Sequence, residues 1–534
     1  MEFGLFREWR IRKLVYFFLL GLLVRLVLAW LPEKYLFYLV SDDAYYYFTI
    51  ARNWAGRGLL SADGITLTNG FHPLWLFLIT PIFSLFGDQH WFSIHLVLTI
   101  SAFFDTAAGF LMYKSLEKLG KPGLGLWAAG FFYFHPFGIL HSMNGLETAL
   151  NSFFLALLVY LSLGAIPQWL PHGWLPLGTA IGLALLTRTD NIFFVLPFLA
   201  YLFWRERNFK AILKVTAAAI LLVGPWLVYN FVSFGTVVQT SGTAYPWYYH
   251  QLYLNGFKTY FSLTLFPYLL RLGLYAFAEN AFHYGNWVLT IMLSLVLIYR
   301  LKSWPARYRP LLWTLAGSAL FLAVHLFVRW SVRPWYPQAV FVLTLPAVVL
   351  ALDGIRRYLV GLVVVVSLVL SGWWVWNWPF RLADRSRVML KMIEEKIPTA
   401  DRVGVFNSGY LQYFTDKKVI NLDGLVNNEV LPYYQKKKGW EYFRRRNIRW
   451  LVDTQAYLGG IFGQYFGSAA DSLLVGVAAQ LNISYPANNV FIIQVFMEGP
   501  VSLPQGAIPF GLMIGPWRER ATQPHWAPLP FLGQ

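Results

Sequence analysis

Two adjacent carboxylates, Asp42 and Asp43, open a polar stretch that begins Ser41-Asp42-Asp43-Ala44-Tyr45-Tyr46-Tyr47 and closes on Thr68-Asn69-Gly70-Phe71-His72-Pro73. Side-by-side carboxylates repel, so each needs a cation, a hydrogen-bond network or a raised pKa, and a general base or a metal ligand is what such a pair can become. The plainer alternative is a solvated pair capping the helix that starts at Ala44. Chemistry is favoured by the company: three tyrosines, an amphipathic helix over Ala44 to Trp54, and a return through Asn69 and His72 into a short apolar segment. A second acidic position stands in Asn144-Gly145-Leu146-Glu147-Thr148. Glu147 lies in the first turn of a helix, where a carboxylate suits the dipole without further purpose. Placed beside Asp42 and Asp43, it would complete a cluster fit for sugar hydroxyls or for a divalent cation, Mg or Mn.

Cations and aromatic rings come next. Thr187-Arg188-Thr189-Asp190-Asn191 is a tight turn in which Arg188 either pairs with Asp190 or presents its fork to a phosphate. Tyr245-Pro246-Trp247-Tyr248-Tyr249-His250 and Arg329-Trp330-Ser331-Val332-Arg333-Pro334-Trp335-Tyr336 add aromatics and two arginines. Trp and Tyr at membrane ends usually form an interface belt, and the same rings stack on sugars. Arg25 lies near one end of an apolar block, from where it could snorkel towards a phosphate. Asp105 lies inside another, as either a functional group or a buried interhelical bond. His95 and His135 read as packed structural residues.

The elements that must position these groups are membrane helices. The chain is 57% hydrophobic and 19% aromatic, with 13% charged residues, against roughly 25% charged in soluble domains. The apolar blocks are Leu14 to Leu31, Ile94 to Tyr113, Gly123 to Leu140, Glu147 to Gly164, Leu175 to Leu186, Asn191 to Trp204, Ala211 to Asn230, Gly285 to Tyr299, Leu311 to Val328, Trp335 to Leu352 and Leu359 to Trp376. They predict a polytopic α-helical membrane protein of about eleven spans, the first a retained helix. Leu74 to Phe86 is short, and a crossing there would invert every later loop. Without it, seventeen Lys and Arg fall on the inner side and eight on the outer. The positive-inside rule therefore puts the N-terminus in the cytoplasm and the acidic loops, residues 32–73 among them, outside.

Beyond Phe380 the long apolar blocks give way to short β-like runs at Val403 to Phe406, Val419 to Leu422, Ile448 to Val452 and Val490 to Phe496. Residues 1–379 are thus a membrane part, and 380–534 an extracytoplasmic α/β domain with a Pro-rich tail. The net charge of +17 lies in short clusters between apolar blocks, which argues for topology and anionic membrane lipids rather than nucleic acid. No cysteine is present, so disulfide and thiol chemistry are excluded.

Taken together, Asp42-Asp43-Ala44-Tyr45-Tyr46-Tyr47, Asn69-Gly70-Phe71-His72-Pro73-Leu74-Trp75, Gly145-Leu146-Glu147-Thr148 and Thr187-Arg188-Thr189-Asp190 resemble the GT-C superfamily of integral membrane glycosyltransferases. The nearest look is that of the bacterial arabinofuranosyltransferase, protein mannosyltransferase and aminoarabinose transferase group. The resemblance implies transfer of a sugar from a polyprenyl phosphate donor to a hydroxyl of a glycan, lipid or protein acceptor in the cell envelope, with inversion. It makes one of Asp42 and Asp43 the general base, Asp43 being the favoured one with Asp42 positioning it or sharing a cation, and Glu147 the second acidic site. Arg188 and Arg333 would hold the departing phosphate, and the Tyr245 to His250 loop would gate or bind. Tyr46, Asn69, His72, Asp190 and Tyr336 complete the substrate-binding set. If a metal is used, Asp42, Asp43 and Glu147 are its ligands. Thr189 stands where the motif often has a proline.

The rival readings are a lipid flippase or transporter, which Asp105 and His325 keep open, an oligosaccharide ligase, and a structural membrane subunit. Transporters would be expected to show mid-membrane charges in matching halves, and no internal repeat is found.

Overall fold

The computed structural model describes residues 2–164, 174–254, 287–325, 333, 335–376, 381–454, 474–477, 490–495 and 508–509. Prolines set several of the helix breaks. Helix α1 (Glu2–Ala29) stops just before Pro32, and α2 (Glu33–Leu39) leaves at 109° to it, because proline has no amide hydrogen to continue the ladder. Then follow α3 (Asp42–Arg57), α4 (Pro73–Phe86) and α5 (His90–Lys118). The pair α6 (Pro122–Phe134) and α7 (Pro136–Ser142) bends by 61° at His135, again ahead of a proline. Next come α8 (Thr148–Ser162), α9 (Trp174–Thr187), α10 (Ile192–Glu206), α11 (Phe209–Phe234) and α12 (Thr240–Leu254). The set ends with α13 (Trp287–Leu301), α14 (Leu312–Ala323), α15 (Pro337–Ala351) and α16 (Arg357–Trp376).

Apart from α2, α3 and α12, these helices fall on the apolar segments of the sequence, but many are shorter than a bilayer crossing. Among the described residues, α5 and α11 are each long and apolar enough to span, and the two bent pairs raise the number to four at most. Helices α4, α8, α9 and α15 are 14 or 15 residues long, against about 20 for a full crossing. The segment 240–254, expected as a loop, is helical. Arg329 and the Pro-rich tail lie outside the described residues.

Helix α5 packs against α1, α6 and α8. Here the reading of Arg25 as a snorkelling phosphate ligand is corrected. Arg25 is fully buried, its Nε donating to Asp105 Oδ2 at 2.6 Å and its Nη1 to the carbonyls of Gly21 and Tyr133 at 2.9 and 3.1 Å. Asp105 is thus an interhelical clamp. Removing either partner strands a buried charge, so Arg25→Ala or Asp105→Ala alone is expected to destabilise by about 3–5 kcal/mol. The double change Arg25→Met with Asp105→Leu should recover most of that in thermal unfolding; a double variant as unstable as the singles would refute the clamp. His95 and His135 are structural, as expected. His95 stacks on Trp30 with ring centroids 4.8 Å apart, and His135 accepts from Gly138 N at 3.3 Å at the start of α7.

The C-terminal part holds α17 (Arg381–Lys396), β1 (Arg402–Val405), α18 (Gly409–Phe414), β2 (Lys418–Asn421), α19 (Val430–Gln435), α20 (Gly439–Arg446) and β3 (Ile448–Thr454). Strands β4 (Leu474–Val477), β5 (Val490–Val495) and β6 (Ile508–Pro509) complete a sheet of order β2-β1-β3-β5-β4-β6. Strand β1 pairs parallel with β2 and β3, and the remaining pairs are antiparallel. The parallel edge matters for the site, because β1 and β2 deliver their C-terminal turns to the same place, against α3.

Candidate active site

Helix α3 starts two residues earlier than the sequence suggests, so both acids stand in its first turn. They then diverge. Asp42 Oδ1 accepts from Tyr410 N at 3.0 Å and Oδ2 from Gly409 N at 3.2 Å. It caps α18, more than 360 residues away in sequence, rather than α3. Only glycine allows this approach: a Cβ on residue 409 would lie 2.1 Å from the Asp42 carbonyl oxygen. Burial pushes the Asp42 carboxyl up, and the two amides together with Arg385 and Arg333 pull it partly back.

Asp43 is partly buried and accepts no hydrogen bond from the described residues. Burial, opposed by Arg333 and reinforced by Asp42 and Glu147, raises its pKa to about 6.

Glu147 reaches this site because the preceding loop lies directly on α3. Ser41 N donates to Asn144 O at 3.0 Å, and Trp75 Nε1 to Gly145 O at 3.2 Å. Gly145 has φ +84° and sits where a Cβ would come 2.9 Å from that of Ala44, so both its conformation and its space demand glycine. The Glu147 side chain is buried, with Oε2 accepting from Tyr47 Oη at 2.9 Å and Oε1 from Arg188 Nη1 at 2.5 Å. His72 Nε2 lies 3.7 Å from Oε1.

Arg188 does pair with Asp190, donating from Nε and Nη2 at 3.0 and 2.8 Å. Its guanidinium stacks 4.5 Å from the Tyr336 ring centroid, and His325 Nε2 stands 3.3 Å from Asp190 Oδ2. Burial opposes both charges, yet Arg188 with His325 holds the Asp190 carboxyl well below its usual range. One cation thus serves two buried carboxylates, and Tyr336 packs on that cation.

The remaining expected residues separate into two groups. Arg333 lies over the Tyr245 ring at 4.2 Å, with no carboxylate at ion-pair distance among the described residues. By contrast, Tyr46 and Asn69 bind other parts of the chain. Tyr46 Oη accepts from Ser408 N at 3.1 Å and Asn421 Nδ2 at 3.0 Å, and lies 3.3 Å from Asp423 Oδ2. Asn69 Oδ1 accepts from Thr240 N at 3.0 Å and Asn428 Nδ2 at 2.8 Å. His72 donates its backbone N–H to Tyr47 Oη at 3.0 Å, with its Nδ1 3.4 Å from Gln239.

The cation set Asp42, Asp43 and Glu147 does not fit a metal ion. Asp42 is occupied by two backbone amides and Glu147 by Tyr47 and Arg188, and among the described residues no three His, Asp or Glu side chains are placed to hold one.

Three participants receive no role of their own from the sequence. Tyr47 is one turn after Asp43 on the same helical face, a spacing that could have flagged it. Gln239 and Asp423 carry no local signal, since their importance comes from partners far off in the chain.

Residues 72–229 match the family described as dolichyl-phosphate-mannose-protein mannosyltransferase, and residues 380–496 match a domain of unknown function. No curated protein matches in sequence. Among solved structures, the oligosaccharyltransferase of Archaeoglobus fulgidus with Zn and sulfate aligns at TM-score 0.51 and 14% identity, covering 92% of this chain and 74% of that one. ArnT from Cupriavidus metallidurans in the apo state aligns at TM-score 0.50 and 14% identity, covering 91% and 98%. This is the GT-C fold. A further A. fulgidus structure, AglB with an inhibitory peptide and a dolichol-phosphate, aligns at TM-score 0.50 and 12% identity over 94% and 76%. At these identities the likeness is one of GT-C architecture, and it extends over the C-terminal part as well as the apolar helices.

Proposed function

We propose that this GT-C chain transfers a sugar from a polyprenyl phosphate donor to an acceptor hydroxyl with inversion, using Asp43 as general base. The observation that carries the reading is the contrast within the acidic pair. Asp42 is committed to backbone amides, whereas Asp43 accepts no hydrogen bond among the described residues and sits under the influence of Arg333. A base needs a free lone pair and a pKa near the working pH. In the proposed step the Asp43 carboxylate takes the acceptor proton as that oxygen attacks the anomeric carbon. The bond from that carbon to the phosphate oxygen breaks on the opposite face, and the electron pair leaves with the phosphate.

The phosphate role passes to Arg333 alone. Arg188 is neutralised by Glu147 and Asp190, so its part is to hold Glu147 and the 187–191 turn in place. The mannosyltransferase family match and the dolichol-phosphate in AglB support a lipid-linked donor. The positive-inside count supports an inner-membrane protein with a cytoplasmic N-terminus, the site and residues 380–534 lying outside. The flippase alternative loses its chief residue, since Asp105 is neutralised by Arg25.

The test is transfer of radiolabelled sugar from a panel of synthetic polyprenyl phosphate sugars by purified protein, with and without EDTA. Release of labelled sugar to an acceptor or to water supports the reading. Movement of donor between leaflets with no cleavage would overturn it.

A further inference from the structure

Helix α18 is held to α3 at both of its ends. Asp42 takes its first amides, and Arg52, further along α3, takes its last carbonyls. Arg52 Nη1 donates to Tyr413 O at 3.1 Å and Nη2 to Gln412 O at 3.4 Å, and the guanidinium carbon lies 5.2 Å from the Tyr413 ring centroid. The final carbonyls of a helix have no partner within it, so an arginine there satisfies what the helix leaves open.

The same guanidinium reaches His90, the first residue of α5, with Nη1 2.7 Å from Nε2. Arginine has donors only, so Nε2 must present its lone pair and the imidazole proton must sit on Nδ1. The His90 ring packs against Tyr413 and Phe414, with centroids 5.0 and 5.6 Å away, and its backbone carbonyl accepts from Tyr413 Oη at 2.9 Å. Three elements, α3, α5 and α18, therefore meet on one hydrogen bond that a neutral imidazole can make and a charged one cannot. Both side chains are only partly buried, so water can deliver the proton. The other titratable groups that act on the pair are Arg57 of α3, Asp88 before α5, the Tyr413 phenol and Asp416 after α18. Among the described residues neither aspartate lies at ion-pair distance from Arg52 or His90, so neither would neutralise two cations set against each other.

We propose that His90 is a pH switch on the docking of the C-terminal part: a proton taken up at Nε2 removes the acceptor of Arg52, and the repelled guanidinium leaves the Gln412 and Tyr413 carbonyls and frees that end of α18 from α3. The contact exists only with the imidazole neutral. Its contribution is therefore complete at high pH and is lost as pH falls through the range, roughly 5 to 7, in which histidines gain their proton. The helix that loosens is the one whose amides hold Asp42, which ties the switch to the candidate site. It stands apart from the transferase reading, and its test involves no sugar donor or acceptor.

Amide exchange over residues 409–414, corrected for the intrinsic pH dependence of exchange, is followed on the full chain in nanodiscs from about pH 7.5 to about pH 5.5. Wild type should lose about tenfold in protection, in keeping with one charge-assisted hydrogen bond. His90→Gln offers Arg52 an amide oxygen at every pH and should keep its protection. Arg52→Gln, whose amide can turn to accept from a charged imidazole, should also show no loss on acidification. Protonation of Asp42 would act on all three proteins alike, so the contrast between them isolates His90. Nitrogen NMR of labelled histidine supplies the tautomer: the signal missing from His90→Gln should be that of an Nδ1–H ring at the neutral end and of a doubly protonated ring at the acid end. If His90→Gln is already undocked at neutral pH, Arg52→Gln decides, and if both are, the tautomer does. Equal loss in all three proteins, no loss in wild type, or an Nε2–H tautomer at neutral pH would overturn the proposal.

Discussion

Asp43→Asn should lower sugar transfer by about a thousandfold, within the range that a positioned general base supplies, while leaving the fold intact. The fold survives because Asp43 accepts no hydrogen bond among the described residues, so the amide forfeits nothing but the charge. In wild type kcat/KM should rise with pH around a midpoint near 6, as the carboxyl ionises. Arg333 is the group that lowers this pKa, so Arg333→Gln should move the limb to higher pH as well as weaken phosphate binding.

Stability runs the opposite way over the same interval. The folded pKa lies above the unfolded value, so the stabilising contribution is complete at low pH and is lost as pH rises through about 6. Asp43→Asn removes that decline. Asp42→Asn differs in kind: it weakens the cap on Gly409 and Tyr410, and should expose residues 409–414 to amide exchange together with a smaller loss of rate. Transfer by Asp43→Asn at more than a tenth of the wild-type rate would end its assignment as base.

Arg188→Ala should be severely destabilising, by about 3–5 kcal/mol, since it strands buried charge. Glu147 and Asp190 are both buried and both rely on that guanidinium, and the Tyr336 ring would lose the cation stacked on it. Arg188→Lys should recover only part, because an ammonium on a flexible stem cannot bridge two carboxylates while lying flat on a ring. Thermal unfolding in detergent reads the effect. A phosphate ligand would behave otherwise: donor affinity would fall with the unfolding curve unchanged, and that result would return Arg188 to the role its motif suggests. The depressed pKa of Asp190 adds a pH signature. Its stabilising contribution is present above the unfolded carboxyl pKa and disappears as pH falls through the folded value, so acid should unfold this corner of the molecule.

The positions of the apolar helices were legible in the sequence, since a membrane helix needs only a run of apolar residues and local backbone bonding. So were most of the β-like runs, which the strands Arg402–Val405, Lys418–Asn421, Ile448–Thr454 and Val490–Val495 overlap among the described residues. The acidic pair, Glu147 and the Arg188 turn were legible as polar groups placed against an apolar background. Helix lengths were less so, because the bend at Pro136 cuts an apolar block, Gly123 to Leu140, that hydropathy reads as continuous.

What the sequence could not reveal is who partners whom. Asp42 and Asp43 are neighbours with the same side chain, and only the arrival of Gly409 and Tyr410 separates a cap from a free carboxylate. Arg188 has the same local sequence whether it faces a phosphate or Glu147. Arg25 and Asp105 each look expensive alone, and become a clamp once α1 lies on α5. Tyr46 reads as a site residue from its place beside Asp43, yet its hydroxyl is engaged by Ser408, Asn421 and Asp423. Local propensity and hydropathy act over a few residues and so can be read along the chain. Charge pairing and proton affinity depend on groups hundreds of residues apart brought within a few ångströms, which tertiary packing alone decides.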